Sequence, residues 1–220
     1  LVLAAILYKT NLHRLQLIRT PRAADNSTPT AWYRQSGIWL LNAAMGLRSW
    51  TQVAIMTFLP VFLIQQTGLS PLAANAYLTL YLIGGAFGGL TGGYLGDKIG
   101  HKRCVGFSLT LALVFYIGLY WLLTINHPAF AVLLFLTGAM LQASMPSSIV
   151  WAQILLPQNR SLASGMMLGL SNGLGGLGAA ASGWFADLHG LPLMLLAAAI
   201  PLVVAACLTA RTPEANFPST

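Results

Sequence analysis

Charge is what this sequence has least of. Eleven Lys and Arg and four Asp and Glu stand among 220 residues, 7% in all, whereas a soluble domain carries about a quarter. With 56% hydrophobic residues and a mean hydropathy of +0.71, the composition argues against a soluble domain and for a membrane protein. Cysteine is scarce too. Cys104 and Cys207 lie far apart in apolar stretches, so they read as buried thiols rather than as a disulfide frame or a metal site. The four histidines show no metal-ligand spacing. No Walker lysine pattern is present, no basic face interleaved with aromatics suggests nucleic acid, and no cofactor is implied. Gly173-Leu-Gly175-Gly-Leu-Gly178 imitates a dinucleotide fingerprint. It follows no strand and has no acid about 20 residues on, so it reads as close helix packing.

Long apolar runs are what the sequence does have. A spanning helix needs about 20 mostly apolar residues, and six runs qualify: 36–64, 71–95, 104–125, 128–156, 161–186 and 191–210. Turn-type clusters separate them at "TGLSP" (67–71) and "NHP" (126–128), with a polar break at "LPQNRS" (156–161). The first residue is Leu, and "LVLAAILY" resembles the end of a preceding span without the basic leader of a signal peptide. Residues 1–8 are therefore expected to close such a helix, 9–35 to form a polar, basic linker and 211–220 a tail, in a chain that is a C-terminal piece of a longer protein.

The bases test the topology. Lys9, Arg14, Arg19, Arg22 and Arg34 precede the first full span; Lys98, Lys102 and Arg103 separate the second from the third; Arg160 separates the fourth from the fifth; Arg211 follows the sixth. The intervening loops hold no Lys or Arg. Ten of the eleven bases thus fall on alternate sides, which the positive-inside rule makes cytoplasmic. This accounts for the net charge of +7 and puts the linker and C-terminus inside. The N-x-S/T matches at Asn26 and Asn159 fall on that inner side, where glycosylation is not expected. Arg48 alone breaks the pattern.

An echo links the two halves of the segment. Gly93-x-x-x-Asp97-x-x-Gly100 is repeated as Gly183-x-x-x-Asp187-x-x-Gly190, and each copy ends the middle span of a group of three. Three is odd, so the copies fall on opposite faces, the plan of an inverted three-plus-three repeat. The fold class expected is an all-α membrane protein of six transmembrane helices. At this point the residues reach a family: "GGYLGDKIGHKR" (92–103) resembles the signature loop of the major facilitator superfamily, and the resemblance extends over the whole chain. More narrowly, "LRSWTQVAIMTFLPVFL" (47–63) resembles the corresponding helix of fosmidomycin-resistance-type exporters. The resemblance implies the C-terminal half of a twelve-helix transporter, partnered by a missing N-terminal half, in a bacterial inner membrane.

Two constellations carry chemistry. Asp97 sits at a cytoplasmic helix end, where the helix dipole disfavours an anion. Lys98, Lys102 and Arg103 can compensate it, and Gly92 and Gly93 permit close backbone approach. The resemblance implies a gate here, with Gly93, Asp97, Gly100, Lys102 and Arg103 its parts; the alternative is a helix-end turn carrying positive-inside residues. Arg48 lies roughly 16 Å into its helix, near the bilayer midplane, where an arginine costs about 2.5–3.5 kcal/mol. No acid of the six helices lies at that depth. Either a carboxylate of the missing half or an anionic substrate must meet it. Gln52 is one turn on, and Tyr77, Tyr81 and Gln142 are further candidate lining residues. Ser144, Pro146, Ser171 and Asn172 are weaker ones. For Tyr77, Tyr81, Gln142, Ser144, Ser171 and Asn172 ordinary interhelical hydrogen bonding is the commoner role. Trp32, Trp39, Trp121 and Trp184 suit an interfacial belt.

The function expected is a secondary active transporter for a small molecule, working by alternating access. The resemblance implies proton antiport and export of a drug-like or anionic compound. The alternatives are an organic-anion importer or facilitator and, from another class, a six-helix membrane scaffold or enzyme. A membrane enzyme needs a cluster of His, Asp or Glu at one depth, which the sequence lacks.

Overall fold

The computed structural model describes residues 36–123 and 129–212. The expected stub at 1–8, the linker at 9–35, Trp32 and nearly all of the expected tail at 211–220 lie outside them. Among the described residues every regular element is helical: α1 (Ser36–Thr67), α2 (Pro71–Ile99), α3 (His101–Leu123), α4 (Ala129–Leu155), α5 (Arg160–Gly165), α6 (Ser171–His189), α7 (Leu191–Ala197) and α8 (Ala199–Arg211), with a 3₁₀ turn at Pro157–Asn159. A π-helical turn, Met166–Leu170, joins α5 to α6, and α7 and α8 together make one span.

Local chemistry sets the boundaries. Ser70 caps α2, its hydroxyl accepting from the Ala73 N–H, and Pro71 follows at the first helical position, where its missing N–H costs nothing. Both echo motifs end their helices on a left-handed glycine, Gly100 at φ 92° and Gly190 at φ 86°, each donating back to a carbonyl four residues earlier. The last glycine of the echo is thereby explained as a helix stop.

Among the described residues five helices are long and apolar enough to cross a membrane: α1, α2, α3, α4 and α7–α8. The expected fifth span at 161–186 is helical but does not join them. Its Ser171–His189 portion is rich in Gly, Ala and Ser, and the π turn divides it from Arg160–Gly165. The protein is an integral, multi-pass membrane protein. Its outward faces carry Leu72, Leu90, Leu177 and Trp184, as lipid or an apolar partner requires. Cys104 is buried as expected, but Cys207 is exposed, because in such a protein an apolar helix face need not turn inward. Trp39, Trp121 and Trp184 are exposed near helix ends, as an interfacial belt requires.

The helices pair as a repeat demands. α2 packs on α4 as α1 packs on α6; α3 packs on α4 as α8 packs on α1; α3 meets α8. Exchanging the first three spans for the last three maps these pairs onto one another. The α2–α4 seam runs in parallel register. A Cβ at Gly84, Gly88 or Gly92 would lie 2.2, 1.9 or 2.2 Å from the carbonyl oxygens of Phe135, Ala139 and Ala143. One at Gly96 would lie 2.2 Å from Ser147 Oγ. Four glycines four apart thus let two backbones touch. The α1–α6 seam is parallel too: Asn42 faces Ser171, Ser49 faces Gly175, and Trp50 donates to Ser182 at 2.8 Å.

Candidate functional site

Arg48 stands in the middle of α1 and is 1% exposed. Burial at that depth demands that its N–H groups find acceptors. Its Nε donates to the Leu141 carbonyl at 2.8 Å, in the turn of α4 that Pro146 interrupts, where Ser144 Oγ donates to the same oxygen. Nη2 donates to Gln142 Oε1 at 3.0 Å and to Gln52 Oε1, and Nη1 reaches Met145 Sδ at 3.6 Å. Gln52 Nε2 in turn donates to Gln142 Oε1 at 3.2 Å. Every one of these partners is neutral.

The acids among the described residues are Asp97 and Asp187, both exposed at helix ends, and the single acid–base contact there, Asp97 with His101, is an ion pair only when the histidine is protonated. The charge of Arg48 is therefore matched by dipoles alone within the described residues. Beside the cluster opens a cleft of about 380 Å³ whose lining includes Gln52, Tyr81, Gly85, Gly89, Gly138 and Gln142. The structure brings Arg48, Gln52, Tyr81 and Gln142 together. Tyr77 stands apart, its ring edge-on to Phe130 with centroids 5.3 Å apart. Ser171 and Asn172 serve the α1–α6 seam.

The residues of the echo's first copy form a second cluster. The Asp97 side chain is 75% exposed and lies 4.0 Å from His101 Nε2. Lys98 Nζ sits 4.4 Å above the Tyr94 ring, a cation–π contact. Lys102 is half-buried and Arg103 exposed. Of the two glycines expected to permit close approach, Gly92 does so, whereas a Cβ at Gly93 would meet only Pro146 Cβ at 3.8 Å. The Gly92 carbonyl accepts from Ser147 Oγ at 2.9 Å and from Cys104 Sγ at 3.4 Å. Sequence reasoning missed Ser147, and also Leu141 and Met145 on Arg48. Only a known register between α1, α2 and α4 exposes them.

The sequence has relatives among known proteins. Residues 38–219 match the model of the Major Facilitator Superfamily. The Fosmidomycin resistance protein of Escherichia coli (strain K12) is 33% identical over 157 residues, 68% of this chain and 36% of the relative. The Gallate transporter of Pseudomonas putida is 36% identical over 170 residues, 74% of this chain and 36% of the relative. An uncharacterized MFS-type transporter of Bacillus subtilis (strain 168) is 32% identical over 132 residues, 59% and 31%. The matched stretch is thus about a third of each relative. Because the family match runs through all six expected spans, including the glycine-rich one broken by the π turn, the chain belongs to the Major Facilitator Superfamily.

Proposed function

We propose that this chain forms one half of a secondary active transporter in the bacterial inner membrane. It exports a small anionic or drug-like compound by alternating access, in exchange for protons. The carrying observation is Arg48: a buried guanidinium with neutral partners only, next to an open cleft. A charge held by dipoles at the midplane is suited to an anion that arrives and leaves, since a permanent carboxylate would compete with it. The printed name of the fosmidomycin-resistance relative supports export. The proton-coupling carboxylate belongs in this reading to the partnering half, and the cluster from Gly93 to Arg103 serves as the inner gate. The gallate relative supports the second reading, an organic-anion importer or facilitator with the same use of Arg48.

Expression of the full-length transporter in a drug-sensitive host tests this. Wild type lowers fosmidomycin accumulation, and a protonophore removes the effect. Arg48→Ala abolishes export with the protein still in the membrane fraction. Export undiminished in Arg48→Ala sinks the reading, and protonophore-insensitive resistance sinks its antiport part. Uptake of labelled gallate, lost in Arg48→Ala, decides for the second reading.

A further inference from the structure

Two hydrogen-bonding groups beside the cleft are unspent. Arg48 has five N–H donors. Nε is satisfied by Leu141 and Nη2 by two glutamine oxygens, but Nη1 meets only the Met145 thioether, a weak acceptor. One Nη1 N–H thus has no acceptor among the described residues. The Tyr81 hydroxyl is also buried without a partner, on a side chain 2% exposed, a state that costs stability unless a ligand relieves it. Tyr81 lines the cleft beside Gln52 and Gln142, the two glutamines that accept from Arg48.

We infer that Tyr81 is a second donor to the bound anion, and that Gln52 occupies on Arg48 the place of one ligand oxygen when the cleft is empty. This rests on the anion reading of the cleft and adds to it how the ligand is chosen. An oxyanion with two oxygens on one centre, a carboxylate or a phosphonate, takes the Nη2 N–H in place of Gln52 Oε1 and the unspent Nη1 N–H. That is the fork a guanidinium offers. Leu141 keeps Nε and Gln142 keeps the other Nη2 hydrogen, so the guanidinium stays in place. The Tyr81 hydroxyl donates to a remaining lone pair of the ligand. Gln52, released, is free to turn its amide toward the ligand. A neutral ester brings no charge to offset the loss of the Gln52 bond, so it does not compete.

The test measures dissociation constants by calorimetry on the purified full-length transporter, with gallate and fosmidomycin as anionic probes and methyl gallate as the neutral one. Tyr81→Phe, checked for folding by its melting temperature, is expected to weaken anion binding roughly ten- to a hundredfold, and methyl gallate to bind neither wild type nor variant. Gln52→Leu is expected to tighten anion binding several-fold, because nothing then has to be displaced. The stronger binder of the two anions says whether the oxyanion is carboxylate or phosphonate. Unchanged anion affinity in Tyr81→Phe overturns the donor role, and weakened affinity in Gln52→Leu overturns the place-holder role. In either case loss of binding in Arg48→Ala leaves the anion reading standing. Binding retained in Arg48→Ala, or no binding of either anion to wild type at millimolar concentration, overturns both.

Discussion

Gly88 and Gly93 lie five residues apart in one glycine-rich helix, yet only Gly88 faces the α4 backbone. A Cβ at Gly88 would sit 1.9 Å from the Ala139 carbonyl oxygen, and backbone cannot yield without parting the helices. The overpacking cost of about 1–3 kcal/mol therefore exceeds the helix-propensity gain of about 1 kcal/mol. Gly88→Ala is expected to lower the melting temperature in detergent. At Gly93 the nearest atom is 3.8 Å away, so Gly93→Ala is expected to melt at or slightly above the wild-type temperature. Equal melting of both variants would refute the seam. The same contrast marks how far single residues were legible. Sequence marks both Gly92 and Gly93 as small, but adjacent helical residues point about 100° apart, so one of such a pair packs and the other need not. Arg48 was legible because charge in an apolar run has few excuses, and Gln52 because residues four apart share a face. The carbonyl of Leu141 was not, since every residue has one.

At the scale of elements, apolar length located the helices within a few residues. The span expected at 104–125 begins instead at His101, directly after the left-handed Gly100, because a glycine stop rather than a drop in hydropathy ends the previous helix. The π turn at Met166–Leu170 left no mark in the sequence, for hydropathy does not sense one additional residue within a helix. That residue sets the phase of α6 relative to α5. Deleting Gly169 would restore a continuous α-helix and rotate one part against the other by about 100°. Either the α6 contacts of Ser171, Gly175 and Ser182 with α1 or the Gln153–Ser164 bond of 2.7 Å between α4 and α5 then fails. The deletion is expected to reduce the yield of monodisperse protein sharply, whereas the volume-matched Leu170→Met keeps it. A deletion variant that purifies and melts like wild type would mean that the π turn sets no register.

At the scale of the molecule, the helix pairing maps onto itself when the first three spans are exchanged for the last three, while the bases do not. Lys98, Lys102 and Arg103 accompany the first echo, and only His189 accompanies the second. Geometry is thus shared between the copies and charge is not, as expected if packing follows the repeat and charge follows the side of the membrane. The glycine stops Gly100 and Gly190 are then expected on opposite faces, the first cytoplasmic. Cysteine labelling in whole cells tests this orientation, in a background where the exposed Cys207 is replaced by Ala. Gln66→Cys, exposed at the end of α1, should react with a membrane-impermeant maleimide added outside. Asn159→Cys, exposed between α4 and α5, should react only after the cells are opened. Gln66 and Asn159 are separated by three spans, so the two must disagree if the chain crosses three times between them. Labelling of both from outside would remove a crossing, and with it the inverted relation of the two halves. The reverse pattern would keep the repeat and turn the whole molecule over against its charge.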